Sequence, residues 1–173
     1  MQKVKMMIRQ LEVQDTPEIA AAFQELGWNK PASQYENYLV EQELGTRNVY
    51  VAFVEGRFAG YITICWSSNY EPFQNDGIPE IVDFNVLPEF RRQGIGTQLM
   101  DTAEHVIGTF SLYAGIGVGM TPDYGAAQRL YALRGYVPDG RGLHYRGRPI
   151  KYGEGITVSD DLVFYLTKEL DSA

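Results

Sequence analysis

The sequence predicts a mixed α/β fold of the α+β kind. A mostly antiparallel central sheet of about seven strands is flanked by about four helices, in the order β-α-α-β-β-β-α-β-α-β-β. Three observations predict it. Short apolar or alternating runs interleave with segments whose apolar residues recur at helical spacing. Two such runs, 48–54 and 58–66, are joined by Glu55-Gly56-Arg57, a tight hairpin turn. A third, 81–87, passes through an Arg- and Gly-rich turn straight into a helical pattern with Ile95, Leu99, Ala103, Val106 and Ile107 on one face.

The elements follow in order. Residues 6–13 alternate as a first strand. Thr16-Pro17-Glu18 opens a helix, with Pro at its first position, and Gly27 ends it. Ser33 opens an amphipathic helix through Tyr35, Tyr38, Leu39 and Glu41, stopped at Gly45. The hairpin comes next, and then 67–79, a loop rich in Asn, Gly and Pro. The strand at 81–87 and its helix end near Gly108. Residues 111–118 form a strand. Thr121 caps the next helix and Gly135 closes it. A strand begins at Tyr136-Val137, a Gly-rich stretch runs over 138–159, and 162–166 is the last strand. No repeat or linker interrupts the chain, so a single domain over 1–173 is expected.

Bulk properties narrow the function. A chain of 173 residues can bury a real core. The lone Cys65 excludes an internal disulfide and points to a reducing compartment. The opening residues lack the apolar core of a secretory signal, and no apolar run is long enough for a membrane helix. A soluble, cytoplasmic protein is expected. The formal charge of −7 argues against nucleic acid or an anionic membrane as partner. His105 and His144 are too few for a metal site, so no metal is expected. Gly115-Ile116-Gly117-Val118-Gly119 lacks the spacing of a dinucleotide fingerprint.

The turn before the third helix is the most informative stretch. Pro88-Glu89-Phe90-Arg91-Arg92-Gln93-Gly94-Ile95-Gly96-Thr97 puts no Ser, Thr, Asp or Asn at the cap position. Its first N–H groups are left for an anion, which the positive end of the helix dipole also favours. Gly94 and Gly96 let a bulky phosphate approach. Further on stands Ala127-Gln128-Arg129-Leu130-Tyr131-Ala132-Leu133-Arg134-Gly135-Tyr136.

These two segments, in this order and at this separation, resemble the pyrophosphate-binding and Ala-x-x-Leu-Tyr-x-x-x-Gly-aromatic motifs of the GNAT acetyltransferases. Together they cover roughly the central third of the chain, and the element order fits the rest. The resemblance implies a GNAT-like fold and acetyl-CoA as acyl donor, with Arg91, Arg92, Gln93, Gly94, Ile95, Gly96 and Thr97 at the pyrophosphate. It implies that Phe84, Asn85 and Val86 pair with the pantetheine arm, whose amides match strand N–H and C=O groups. It implies Tyr131 as the acid that protonates the thiolate leaving group. Tyr124 departs from the Asn often found there, which removes the expected Asn contact to the cofactor.

The proton of the acceptor amine needs a route. The spacing of Glu80 resembles the catalytic glutamate of the histone acetyltransferase branch. Asp83 is its rival, and a water relay is the third option. Strand alternation puts the two carboxylates on opposite faces unless a bulge intervenes. Trp66, Tyr70 and Phe73 either line the acceptor pocket or pack beneath their loop. The basic residues Arg141, Arg146, Arg148 and Lys151 form a solvated hairpin, or face the 3′-phosphate of CoA or an acidic group. The expected activity is acetyl transfer to a primary amine, on a small molecule or a protein, by direct attack in a ternary complex. A non-catalytic acyl-CoA-binding sensor or regulatory module is the alternative. The resemblance leaves a homodimer open and the acceptor undefined.

Overall fold

In the computed structural model, which describes residues 5–171, the strands are β1 (Met6–Gln10), β2 (Arg47–Val54), β3 (Arg57–Cys65), β4 (Glu80–Val86), β5 (Tyr113–Gly119), β6 (Val137–Tyr145), β7 (Arg148–Pro149) and β8 (Leu162–Glu169). The helices are α1 (Thr16–Glu25), α2 (Ala32–Glu43), α3 (Glu71–Asp76), α4 (Ile95–Gly108) and α5 (Gly125–Leu133). The strand order is β1-β2-β3-β4-β5-β8-β6-β7. The pairs β1/β2, β2/β3, β5/β8, β6/β8 and β6/β7 are antiparallel, and β4/β5 is parallel. The expected mixed sheet is present, with eight strands and five α-helices rather than about seven and four.

The described residues form two compact units. The first runs to Cys65 and includes Val82–His105; the second comprises Trp66–Ile81 and the residues from Val106 onward. Strand β4 therefore contributes Val82–Val86 to the first unit and Glu80 and Ile81 to the second. In the first unit α1 and α2 bury Ile19, Phe23 and Tyr35, and β2 and β3 bury Val49, Val51, Tyr61 and Ile62. Phe23 and Tyr35 each meet the Tyr61 ring edge-on, at 5.9 and 5.4 Å. In the second unit Tyr70, Phe73, Ile81, Ala114, Ile116 and Leu166 are buried.

The glycine stops act as expected. Gly135 has φ +88°, donates to Ala132, and is followed by Tyr136 donating to Tyr131. That is a Schellman ending, and Gly27 and Gly45 end α1 and α2 with the same bonds. At the hairpin, Glu55 and Gly56 both have positive φ, the geometry of a type I′ turn.

Four expectations are corrected. The loop 67–79 contains α3, whose six residues are too few to display a helical period. The stretch 138–159 is partly ordered as β6 and β7, joined by Arg146 and Gly147, both at positive φ. Strand β1 stops at Gln10 because a short 3-10 turn follows, held by a bidentate Arg9–Asp15 pair at 2.7 and 2.8 Å and by the Glu12 N–H on Asp15. Thr121 makes no side-chain cap bond; its hydroxyl donates to the Asp123 carboxylate, and α5 starts at Gly125 after a 3-10 turn.

Gly115 of β5 is a packing requirement. A Cβ there would lie 2.3 Å from Cε2 of Phe73. The Phe73 ring, 2% exposed, takes the place of a side chain. Gly115→Ala should lower unfolding free energy by about 1–3 kcal/mol through overpacking, measured by urea denaturation. The loss should shrink in a Phe73→Leu background; equal losses in both would show that Phe73 is not the obstacle.

Candidate functional site

In the first unit the Val82–Val86 part of β4 contains one residue with left-handed backbone. Asp83 sits at φ +48°, left-handed backbone that short polar side chains tolerate best after glycine. Its carboxylate accepts five hydrogen bonds. Oδ1 takes Lys30 Nζ at 2.7 Å and Asn85 Nδ2 at 3.0 Å. Oδ2 takes Tyr61 OH at 2.5 Å, Tyr38 OH at 2.8 Å and Gln34 Nε2 at 2.9 Å. The Lys30 ammonium also donates to Tyr61 OH at 3.0 Å and lies 5.7 and 5.6 Å from the Phe23 and Tyr61 ring centres. Burial, and then the charge of Asp83, push Tyr38 and Tyr61 above the ordinary tyrosine range, so both hydroxyls stay protonated donors. Lys30, Gln34, Tyr38 and Tyr61 were not singled out from sequence.

Val82 to Val86 are half-buried. The Thr63 hydroxyl donates to Val82 O at 2.8 Å, and Leu87 N donates to Ala59 O at 2.9 Å. Phe84 lies beside Gly96, whose added Cβ would be 3.2 Å from the ring. The turn then presents a row of donors. Among the described residues, no backbone N–H from Arg92 through Thr97 has a hydrogen-bond acceptor. Arg92 at φ +59° and Gly94 at +83° curl the chain so that α4 starts at Ile95. Arg91 Nε braces the turn by donating to Val86 O at 3.1 Å, and Gln93 Nε2 donates to Glu89 O at 3.1 Å. Consecutive unsatisfied N–H groups at a helix start form an anion-binding nest.

In the second unit Glu80 is 8% exposed. It accepts a short hydrogen bond from the Ser68 hydroxyl, which in turn accepts from Tyr70 N at 2.9 Å. The β4/β5 register here is Glu80↔Gly115 and Ile81↔Ile116. Tyr70 is buried, stacked on Tyr165 at 3.6 Å, with its hydroxyl on Asp139 at 2.7 Å. Burial and the nearby charge of Glu80 push Tyr165 up to about 12. Trp66 is half-buried and meets Phe110 edge-on at 5.2 Å. Tyr131 on α5 is 5% exposed, and its hydroxyl makes no hydrogen bond among the described residues. Burial, then the charge of Tyr124, raise its pKa, so it keeps its proton. Tyr124 lies across Gly119, where a Cβ would be 2.4 Å from its ring, and donates to Asp160 at 3.0 Å.

The basic stretch is largely internally paired. Arg146 meets Asp161 at 3.1 Å, Arg148 pairs with Glu154, and Arg141 lies 4.0 Å from Asp139. The Arg148 bond holds the Glu154 carboxyl down at about 2. Among the described residues no group of three or more His, Cys, Asp or Glu could hold a metal, and no helix is long and apolar enough to cross a membrane.

The row of unaccepted N–H groups after β4 and a protonated tyrosine on α5 lie within the span 8–136, which matches the acetyltransferase (GNAT) family. The chain belongs to the GNAT family. An "uncharacterized N-acetyltransferase" of Archaeoglobus fulgidus is 36% identical over 85 residues, 49% of this chain. The match covers 56% of that relative's length. The ribosomal-protein-S18-alanine N-acetyltransferase of Escherichia coli superposes with TM-score 0.68 at 15% identity, over 98% of this chain and 96% of that one. The PaiA N-acetyltransferase of Thermoplasma acidophilum, solved with coenzyme A, gives 0.65 at 14%, over 95% and 99%. At these identities the two structures establish the shared fold.

The Asp83 network carries a stability test. Asp83→Ala should cost about 2–4 kcal/mol, because it strands an ammonium and four other donors. Asp83→Gly separates backbone from network, since glycine accepts φ +48° without strain. It should still lose about 2 kcal/mol. A neutral or stabilised Asp83→Gly in urea denaturation would show that the carboxylate holds nothing.

Proposed function

We propose that the chain works as one acetyl-CoA-dependent N-acetyltransferase domain, moving acetyl to the primary amine of a small molecule or a protein by direct attack in a ternary complex. The observation that carries this reading is the row of unaccepted N–H groups from Arg92 through Thr97, directly after a half-buried strand. A pyrophosphate needs several donors and little bulk, and the exposed Arg91 and Arg92 add positive charge beside them. The pantetheine amides would add to the edge of β4 at Phe84, Asn85 and Val86. A backbone N–H near Val86 is suited to polarise the acyl carbonyl. Acetyl-CoA supplies the activated thioester.

Glu80 is the base in this reading. Both Asp83 oxygens are occupied, one of them by an ammonium, so a proton arriving there must displace a bonded donor. Asp83 shapes the strand, and Glu80, with Ser68 on one oxygen, takes the proton from the attacking amine. As the C–S bond breaks, the thiolate receives the proton of Tyr131. Trp66, Tyr70 and Phe73 form the acceptor side through the segment they fold, with Tyr70 fixing Asp139.

The cofactor site has a test that spares the fold. Thr97 is exposed in the first turn of α4. Thr97→Glu places a carboxylate where the helix dipole welcomes it and a pyrophosphate would be repelled. Thermal stability should hold, and affinity for acetyl-CoA by calorimetry should fall at least about tenfold. Unchanged affinity would remove the nest from cofactor binding.

The chemical roles are tested by thiol release across an amine panel. Tyr131→Phe should lower kcat by about 10²-fold while acetyl-CoA affinity changes little. Glu80→Gln should depress kcat/KM and erase the acidic limb of its pH profile, because the base must be ionised to act. An intact limb in Glu80→Gln, or wild-type kcat in Tyr131→Phe, would reject that assignment. Acetyl-CoA binding without thiol release from any amine would favour a sensor instead.

A further inference from the structure

Within the second unit, Ser68 ties Glu80 to the segment that opens α3. Ser68 is 0% exposed and stands between two partners. Its oxygen accepts the Tyr70 N–H at 2.9 Å, and its hydroxyl donates to a Glu80 oxygen in a short hydrogen bond. A hydroxyl carries one proton. The backbone N–H cannot accept it, so that proton is committed to the carboxylate. Tyr70 holds this arrangement still. Its ring stacks on Tyr165 at 3.6 Å and 5°, and its hydroxyl donates to Asp139 at 2.7 Å. Its carbonyl accepts from Gln74 N at 3.0 Å, in the first turn of α3. With its oxygen bonded to so fixed a residue, Ser68 has a set position against Glu80.

The surroundings of Glu80 give that bond its weight. Burial penalises a carboxylate charge, and a hydrogen bond to the charged form offsets the penalty. From β5, Gly115 lies opposite Glu80, and the Phe73 ring of α3 fills the space of its missing side chain. From β8 comes Tyr165, which burial and the charge of Glu80 push up to about 12, so near neutral pH it stays uncharged. From β6, His144 lies edge-on to Tyr70 at 4.9 Å and to Tyr165 at 5.6 Å. Asp139 of β6 is a second negative charge acting on Tyr165, with Arg141 4.0 Å from it. Two carboxylates on one aromatic face oppose each other's ionisation. Each receives a hydroxyl: Ser68 donates to Glu80 and Tyr70 to Asp139. Both hydroxyls come from one three-residue segment, 68–70.

We propose that Ser68 is a positioning residue: its hydroxyl aims the Glu80 carboxylate, keeps it ionised, and so sets the pH at which acetyl transfer begins. The first half concerns the folded chain alone; the second rests on the reading of Glu80 as the base. Carboxyl-carbon NMR of Glu80 against pH, in the protein without acetyl-CoA, tests the first half, with Glu80→Gln identifying the signal. Ser68→Ala removes the donor and should move the Glu80 midpoint up by about one unit or more. Ser68→Cys keeps the shape with a weaker donor, should move the midpoint part of the way, and serves where Ser68→Ala does not fold. Thiol release across an amine panel tests the second half: the acidic limb of kcat/KM should move up with the midpoint in each variant. A loss of packing alone would lower thermal stability and leave midpoint and limb in place. An unmoved midpoint in a folded variant overturns the inference. A moved midpoint with an unmoved limb, where Glu80→Gln erases that limb, also overturns it. A moved midpoint with a limb that survives Glu80→Gln upholds the hold of Ser68 on Glu80 and rejects Glu80 as the base. A moved midpoint without thiol release from any amine upholds that hold and rejects the transferase reading.

Discussion

The carboxylate of Asp83 is the point on which the first unit turns. A residue with φ +48° in the middle of a strand is a local cost, and it persists only where its surroundings over-determine it. Here the surroundings are five donors drawn from four places: the segment before α2 (Lys30), α2 (Gln34, Tyr38), β3 (Tyr61) and β4 itself (Asn85). Each of these bonds alone contributes about 1 kcal/mol, somewhat more for the charged pair. Together they outweigh the backbone cost and fix which way β4 presents its N–H and C=O groups. Without them Phe84 to Val86 would follow the register of an ordinary strand.

The same network divides the labour between two carboxylates three residues apart. Regular alternation would place Glu80 and Asp83 on opposite faces of β4. The left-handed backbone at Asp83 interrupts that alternation, so their environments must be read individually. Asp83 lies among an ammonium, two hydroxyls and two amides. Glu80 is buried beside a serine hydroxyl and a stacked tyrosine pair, where it raises Tyr165. Asp83 is held by five donors, whereas Glu80 is buried in the second unit with the Ser68 hydroxyl on one oxygen. Pairs of carboxylates separated in this way by their environments are how one strand can supply both form and chemistry.

What was legible in the sequence was local. Gly27, Gly45 and Gly135 announced three helix ends because a left-handed C′ position needs only one residue to declare it. The uncapped start of α4 was legible because absence of a capping side chain is also a one-residue signal. The sequence-level choice between Glu80 and Asp83 stayed open because it depends on Lys30, Gln34, Tyr38 and Tyr61, separated from Asp83 by 22 to 53 positions. No periodicity reports such a gathering. Helix α3 escaped for a different reason: six residues with Pro72 at the second position and Gly77 just past the end read as a loop, and packing of Phe73 on Gly115 orders it. His144 escaped because an alternating strand does not reveal which of its polar residues the sheet will bury.

Charge shows the same distribution of tasks. A chain with net charge −7 repels an anionic cofactor at long range, so binding one requires donors that act at contact. The backbone N–H groups from Arg92 to Thr97 are donors of that kind: they have no acceptor among the described residues, carry no net charge and leave the long-range field unchanged. A cationic acceptor faces the opposite situation. The acidic surface draws it in, and selectivity must come from where carboxylates are left uncompensated. In the second unit most acidic groups near the β6–β7 hairpin are matched: Asp139 by Arg141 and Tyr70, Asp161 by Arg146, Glu154 by Arg148. Glu71 and Asp76 stand apart from that pairing.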